Sequence, residues 1–138
     1  MYRGVDNITV ASPNYGRKLP ASQKYLYYPL HISPEYSTLV QGGMLQDQLV
    51  IIELLAKSIP ADWIIYVKEH PQTILSRLRP RDFFKRLKRI PNVEIAPIDS
   101  NMHNIISNSD MVATITGTSG LEAVLRGKPV VGFSDYIN

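Results

Sequence analysis

The sequence predicts an α/β domain built on a doubly wound, all-parallel sheet. Strand-like and helix-like segments alternate along most of the chain. The strand-like ones are short, continuous apolar runs rather than alternating apolar and polar residues, as strands covered on both faces require. Punctuation supports the same reading, since Gly, Pro, Ser and Thr cluster where one type of segment gives way to the other.

Taken in order, "KYLYYPL" at residues 24–30 is rich in aromatic residues and closes near a proline, as a buried strand would. "HISPEYSTLVQGG" reads as a loop. In "MLQDQLVIIELLAKSI", Leu45, Leu49, Ile52, Ala56 and Ile59 recur at helical spacing, and Ile51, Leu54 and Leu55 widen the stripe, which predicts a largely buried helix. "DWIIYVKEH" is a strand with a polar carboxyl end, stopped by Pro71. "RDFFKRLKRI" sets Phe83, Leu87 and Ile90 against Arg81, Lys85 and Lys88, an amphipathic helix with a basic outer side. There follow a weak strand in "NVEIAPI", a short helix in "MHNIISNS", a strand in "DMVATIT", a helix in "SGLEAVLR" and a last strand in "PVVGF".

The 138 residues suffice for one domain with its own core. Residues 1–23 contain Pro13, Gly16 and Pro20 without sustained periodicity and read as a linker or arm, so the domain proper is placed at residues 24–138. It ends at "SDYIN" directly after a core strand, which predicts a domain truncated at its carboxyl end within a longer protein. The absence of cysteine excludes disulfides, thiolate metal sites and a thiol nucleophile, and suits a cytoplasmic location. No apolar run reaches the roughly 18 residues of a membrane span, and the first twenty residues lack a secretory core. The net charge of +3 is local in origin: residues 77–89 carry seven basic side chains against one acid. A solvated charged face is the simplest reading of that helix. Its aromatic residues lie in the apolar stripe rather than among the charges, which argues against nucleic acid as a partner.

In an open parallel sheet ligands gather beyond the carboxyl ends of the strands. Three stretches fall there. "TGTSGLE" offers Gly117 and Gly120 for close backbone approach, hydroxyls from Thr116, Thr118 and Ser119, and the unpaired N–H groups of a helix start, a combination suited to an anion. Ser119-x-x-Glu122 is equally a capping box, in which both side chains serve the helix itself; the two readings stay open. "KEHP" places Lys68 and His70 at a strand end, within reach of a phosphate or base, or else a solvated lysine and a histidine bonded to a loop carbonyl. Gly42 and Gly43, ahead of the long helix, form a third anion-friendly entrance or a plain turn. Gly127 with Pro129 is a helix stop. No His, Asp and Glu set has metal-ligand spacing, so neither a metal nor another cofactor is indicated.

"YYPLHISPEYSTLVQGGMLQDQLVIIELLAKSIPADWIIYVKEHP", followed by "NSDMVATITGTSGLEAVLRGKPVVGF", resembles the carboxyl-terminal half of the capsule polysaccharide biosynthesis glycosyltransferases, the family that includes bacterial Kdo transferases. The likeness runs over about residues 25–134. It implies a Rossmann-like fold, the second domain of a GT-B-type enzyme, and a role in binding the nucleotide sugar. A CMP-activated sugar such as CMP-Kdo is the donor that the resemblance favours.

On that basis Lys68, His70 and Pro71 match a Lys-x-His-Pro motif, and Gly117, Thr118 and Ser119 match a hydroxyl motif that often carries two serines. His70 and Ser119 would hold the phosphate, Lys68 would approach the base, and Glu122 would bond the ribose. The resemblance also implies a saccharide acceptor, an acceptor domain amino-terminal to this one, a catalytic base on that other domain and none in this fragment, and work at the cytoplasmic face of the inner membrane with peripheral association. Two other readings remain: a UDP-sugar domain, either of a transferase or of a UDP-N-acetylglucosamine 2-epimerase-like enzyme, and a non-catalytic polysaccharide-binding module.

Overall fold

The computed structural model describes residues 16–30, 48–69, 81–115 and 118–133. Within them the elements are β1 (Tyr25–Pro29), α1 (Gln48–Ser58), β2 (Ile64–Lys68), α2 (Arg81–Lys88), β3 (Val93–Ile95), α3 (Met102–Asn108), β4 (Met111–Thr114), α4 (Thr118–Leu125) and β5 (Val130–Gly132). The strands form one five-stranded sheet in the order β3-β2-β1-β4-β5, and every pairing is parallel. The chain therefore winds outward from β1 to β3, crosses back to β4 beside β1, and winds outward again. This is the predicted doubly wound sheet, with its switch point between β1 and β4.

Strand periodicity divides the core in two. Leu26 and Tyr28 of β1 join Ile65, Val67, Ile95 and Ala113 beneath α1 and α2. Tyr25 and Tyr27 join Tyr66, Val112, Ile105, Ile106 and Ala123 beneath α3 and α4. β1 is buried along most of its length, so its continuous apolar run is the direct consequence of its central place. Tyr25 and Tyr66 meet edge to face, 5.3 Å between ring centroids. Their hydroxyls donate to the carbonyls of Ile105 (2.6 Å) and Arg17 (2.7 Å), so neither buries an unpaired polar tip. Burial raises the pKa of Tyr25 to about 12.

Three expectations change in detail. α1 is not buried all round: Leu54 and Val50 are more than half exposed, since at 100° per residue they share an outer face with Glu53 and Lys57. In α2 it is Phe84 and Leu87 that sink into the core, with Phe83 only partly covered and set edge-on to Phe84 at 5.4 Å. The last strand is not covered on both faces either. Val130 and Val131 are half-buried and Gly132 is exposed, because α1 and α2 sit over the β1–β3 side while α4 covers β4 and β5 from the opposite face. An apolar groove of about 500 Å³ remains there, lined by Leu26, Leu54, Trp63, Met111, Val131 and Phe133.

Residues 16–23 start at the sheet's other edge, beside β3, and cross toward β1, with Leu19 packed against the Tyr25–Tyr66 cluster. The Arg17 N–H donates to the Ile95 carbonyl at 2.8 Å and the Arg17 guanidinium meets Glu94 at 3.1 Å, so the free edge of β3 is partly covered. Gly16 allows this approach: a Cβ there would lie 2.5 Å from the Ala96 carbonyl carbon. Gly127 ends α4 with a φ of 77°. The Gly127 N–H donates to the Val124 carbonyl (2.9 Å) and the Lys128 N–H to that of Ala123 (2.9 Å), the paired bonds of a Schellman stop.

Candidate functional site

The carboxyl ends of the strands define one edge of the sheet. Lys68 is the last residue of β2, in register with Pro29 of β1, and its carbonyl accepts the Leu30 N–H at 3.0 Å. Tied to the backbone in this way, the residue is held at the rim, and its side chain is largely buried. Burial lowers the lysine pKa from its ordinary 10.5, while the nearby charges of Glu69 and Asp99 act in the opposite direction. Glu69, the next residue, is also buried.

β4 delivers the second group of candidates. It pairs with β1 on the side opposite β2, so the carboxyl ends of β2 and β4 stand two strand spacings apart, roughly 10 Å. α4 starts at Thr118, which puts Ser119 inside the first turn rather than ahead of the helix. The Ser119 hydroxyl points to the Met102 sulfur of α3 at 3.9 Å, a weak contact. Glu122 turns sideways: its Oε2 takes His103 Nδ1 of α3 at 2.5 Å and Arg126 Nε at 3.1 Å. The capping-box reading therefore gives way, because the carboxylate is engaged across the helix pair instead of at the helix entrance. The hydrogen bond from His103, helped by the charges of His103 and Arg126, holds the Glu122 pKa below the ordinary 4.5.

His70, Pro71, Gly117, Thr116, Gly42 and Gly43 lie outside the described residues, as does the side chain of Thr118. The structure thus describes Lys68, Ser119 and Glu122 of the candidate set, Lys68 on β2 and the other two on α4. It adds Asp99, His103 and Arg126, which the sequence reading did not select. The signal for His103 was faint: a seven-residue helix with two buried positions does not fix by periodicity which side chains meet the next helix. Asp99 also lines a cavity of about 560 Å³ between the arm and α3, whose walls are both polar (Lys18, Ser100, Asn104) and apolar (Leu19, Ile105). Among the described residues no cluster of His, Asp and Glu is arranged to hold a metal, and no helix is long and apolar enough to cross a membrane.

A parallel, doubly wound sheet with its switch point between β1 and β4 defines a Rossmann-like α/β domain. The chain belongs to the capsule polysaccharide biosynthesis protein family, whose sequence profile matches residues 11–135. Its fold is similar to that of two solved KpsC structures from Thermosulfurimonas dismutans. The one described as a beta Kdo 2,7 transferase has a TM-score of 0.63 and 21% identity over 96% of this chain and 42% of that one. The beta Kdo 2,4 transferase has a TM-score of 0.60 and 19% identity over 95% and 43%. The UDP-GlcNAc 2-epimerase of Methanocaldococcus jannaschii is also similar in fold, with a TM-score of 0.62 and 18% identity over 96% and 35%. The chain thus spans less than half the length of each of these structures. No curated protein matches the sequence.

Proposed function

We propose that this chain is the donor-binding half of a glycosyltransferase that builds capsular or surface polysaccharide, and that its donor is a CMP-activated sugar such as Kdo. The observation that carries the reading is the placement of Lys68: a buried cation at the carboxyl end of β2, two strand spacings from the Thr118 helix entrance on the other side of β1. A phosphate there meets a positive group in a weakly solvated setting and the N–H groups of a helix start, where charge on a departing nucleotide is best stabilised. Family membership and the likeness in fold to two Kdo transferases support the same assignment.

In this reading His70 and Ser119 hold the phosphate and Lys68 reaches the base or phosphate, with Pro71, Gly117, Thr118, Thr116, Gly42 and Gly43 as further contacts. Glu122 takes the ribose. The acceptor saccharide and the catalytic base belong to a partner domain, and the enzyme works at the cytoplasmic face of the membrane. A UDP-sugar donor is the second reading, favoured by the likeness in fold to the 2-epimerase.

The test is a thermal-shift comparison with CMP, CDP, UMP and UDP, since a ligand that binds only the native state raises the melting temperature. Stabilisation by the cytidine nucleotides, lost in His70→Ala and Ser119→Ala, is the expected result. A uridine preference transfers the assignment to the UDP-sugar class, and no response to any of the four removes the nucleotide site.

A further inference from the structure

The positive charge of the chain is gathered where the candidate nucleotide site makes no use of it. Residues 77–89 carry seven basic side chains against one acid, while the net charge of the whole chain is only +3, so the remainder is net acidic. α2 turns part of that stretch into a surface. Phe84 and Leu87 are buried in the core, and Lys85, Arg86, Lys88 and Arg89 are exposed. The N–H groups of Arg89 and Ile90 donate to the carbonyls of Arg86 and Leu87, both at 3.2 Å, so a tighter last turn carries Arg89 along with the helix. At about 100° per residue, Lys85, Arg89 and Arg86 fall within roughly 100° of one another, on the side away from Phe84 and Leu87. Among the described residues no carboxylate pairs with any of these three. Lys85 and Arg89 stand four residues apart, where like charges destabilise a helix, and interspersed acids would serve solubility equally well without that cost.

We propose, resting on the membrane-face location given above and not on the choice of donor, that the outer face of α2 docks the protein on a bilayer rich in anionic phospholipid. The shape of the face favours a bilayer over other polyanions. Neither of the two cavities described above is lined by a residue of α2, so no groove there follows a polysaccharide chain, whereas mobile headgroups gather beneath each cation of a convex surface. The rings of Phe83 and Phe84 lie at the shoulder of the face and in the core, not among the charges, which removes the stacking by which single-stranded nucleic acid is held. Lysine and arginine carry long apolar stems under charged tips, and half-buried Phe83 adds a ring at the edge of the face, a composition suited to the headgroup layer. Docking in this way leaves the candidate nucleotide edge open. α2 covers the sheet face that bears Leu26 and Tyr28, whereas Lys68, two residues beyond Tyr66 in β2, shares the opposite pleat with that tyrosine.

The experiment is sedimentation of the whole chain with large unilamellar vesicles, made of phosphatidylcholine alone or with about one third phosphatidylglycerol. The native protein should pellet with the anionic vesicles and stay in solution with the neutral ones. Raising salt from about 0.1 M, where charges act over about 10 Å, to about 1 M, where the range is about 3 Å, should release it. Each cation near a charged surface changes partitioning by about fivefold, so Lys85→Ala, Arg86→Ala and Arg89→Ala combined should weaken binding by about a hundredfold. Arg86→Lys with Arg89→Lys should bind as the native protein does, because charge is read and not guanidinium geometry. Lys18→Ala, Lys24→Ala and Lys128→Ala combined remove the same charge elsewhere and should cost far less, and a melting curve for each variant shows that it folds. Equal pelleting with both vesicle types, undiminished binding by the α2 triple variant, or an equal loss in the control triple overturns the inference. Retention on heparin with no binding to vesicles also overturns it and reassigns the face to an acidic polysaccharide. The melting response to CMP is read separately: vesicle docking without that response upholds the inference and removes the nucleotide site, whereas the response without docking removes the docking face alone.

Discussion

At the scale of single residues, Lys68 is where burial and ligand chemistry oppose each other. Burial favours the neutral amine and lowers its pKa from 10.5, and the charges of Glu69 and Asp99 only partly compensate. Between the lowered value and 10.5 the unfolded chain holds this proton more firmly than the folded one, so the lysine's contribution to folding stability improves as pH rises through that window. A bound phosphate works in the other direction, because it stabilises the ammonium. Nucleotide affinity should therefore be greatest below the lowered pKa and weaken as pH climbs through it toward 10.5. Titration calorimetry with CMP over that range reads this directly. Lys68→Met should lose about 2 kcal/mol of binding at neutral pH and show little further change in the alkaline range. An affinity that stays level in the native protein would take Lys68 out of contact with the phosphate.

Among the elements, α4 shows how a local signal and a tertiary one share a short stretch. Its stop was legible because Gly followed by Lys and Pro admits few conformations, and the Schellman bonds at Gly127 and Lys128 are the result. No heavy atom lies within 4 Å of a Cβ added at Gly127, so Gly127→Ala meets no clash and its cost is the left-handed backbone alone. That is about 1 kcal/mol, or a fall of roughly 3–5 °C in melting temperature for a domain near this size, measurable by thermal unfolding without ligand. The start of α4 was less legible. Ser119-x-x-Glu122 satisfies the capping-box pattern, yet the pattern cannot say that a neighbouring helix carries His103 and competes for the same carboxylate. The same limit applies to α1, where the apolar stripe was correctly placed but Leu54 fell outside it. Periodicity gives the angle between side chains on a helix, not how far around the helix the core extends.

For the whole molecule, the parallel doubly wound sheet followed from the alternation of elements, whereas the strand order, which brings Lys68 and Thr118 to either side of β1, is seen only in the structure. What no local pattern contains is how the two core clusters depend on each other. β1 supplies both, with Leu26 and Tyr28 on one face and Tyr25 and Tyr27 on the other, and adjacent strands join it on each side. Loss of packing on either face thus loosens a strand that the other face needs, which predicts a single cooperative unfolding transition. The only tryptophan of the chain, Trp63, packs against the cluster beneath α1 and α2 and reports on that face alone. Ile106 is fully buried in the cluster beneath α3, on the opposite face. Ile106→Ala should cost about 3 kcal/mol through lost burial and an unfilled cavity. If the faces are coupled, denaturant unfolding of this variant followed by Trp63 fluorescence shifts by the same amount as the transition followed by far-ultraviolet circular dichroism. A fluorescence midpoint left at the native value, with only the dichroism transition moved, would show that the two faces unfold separately and that β1 does not link them.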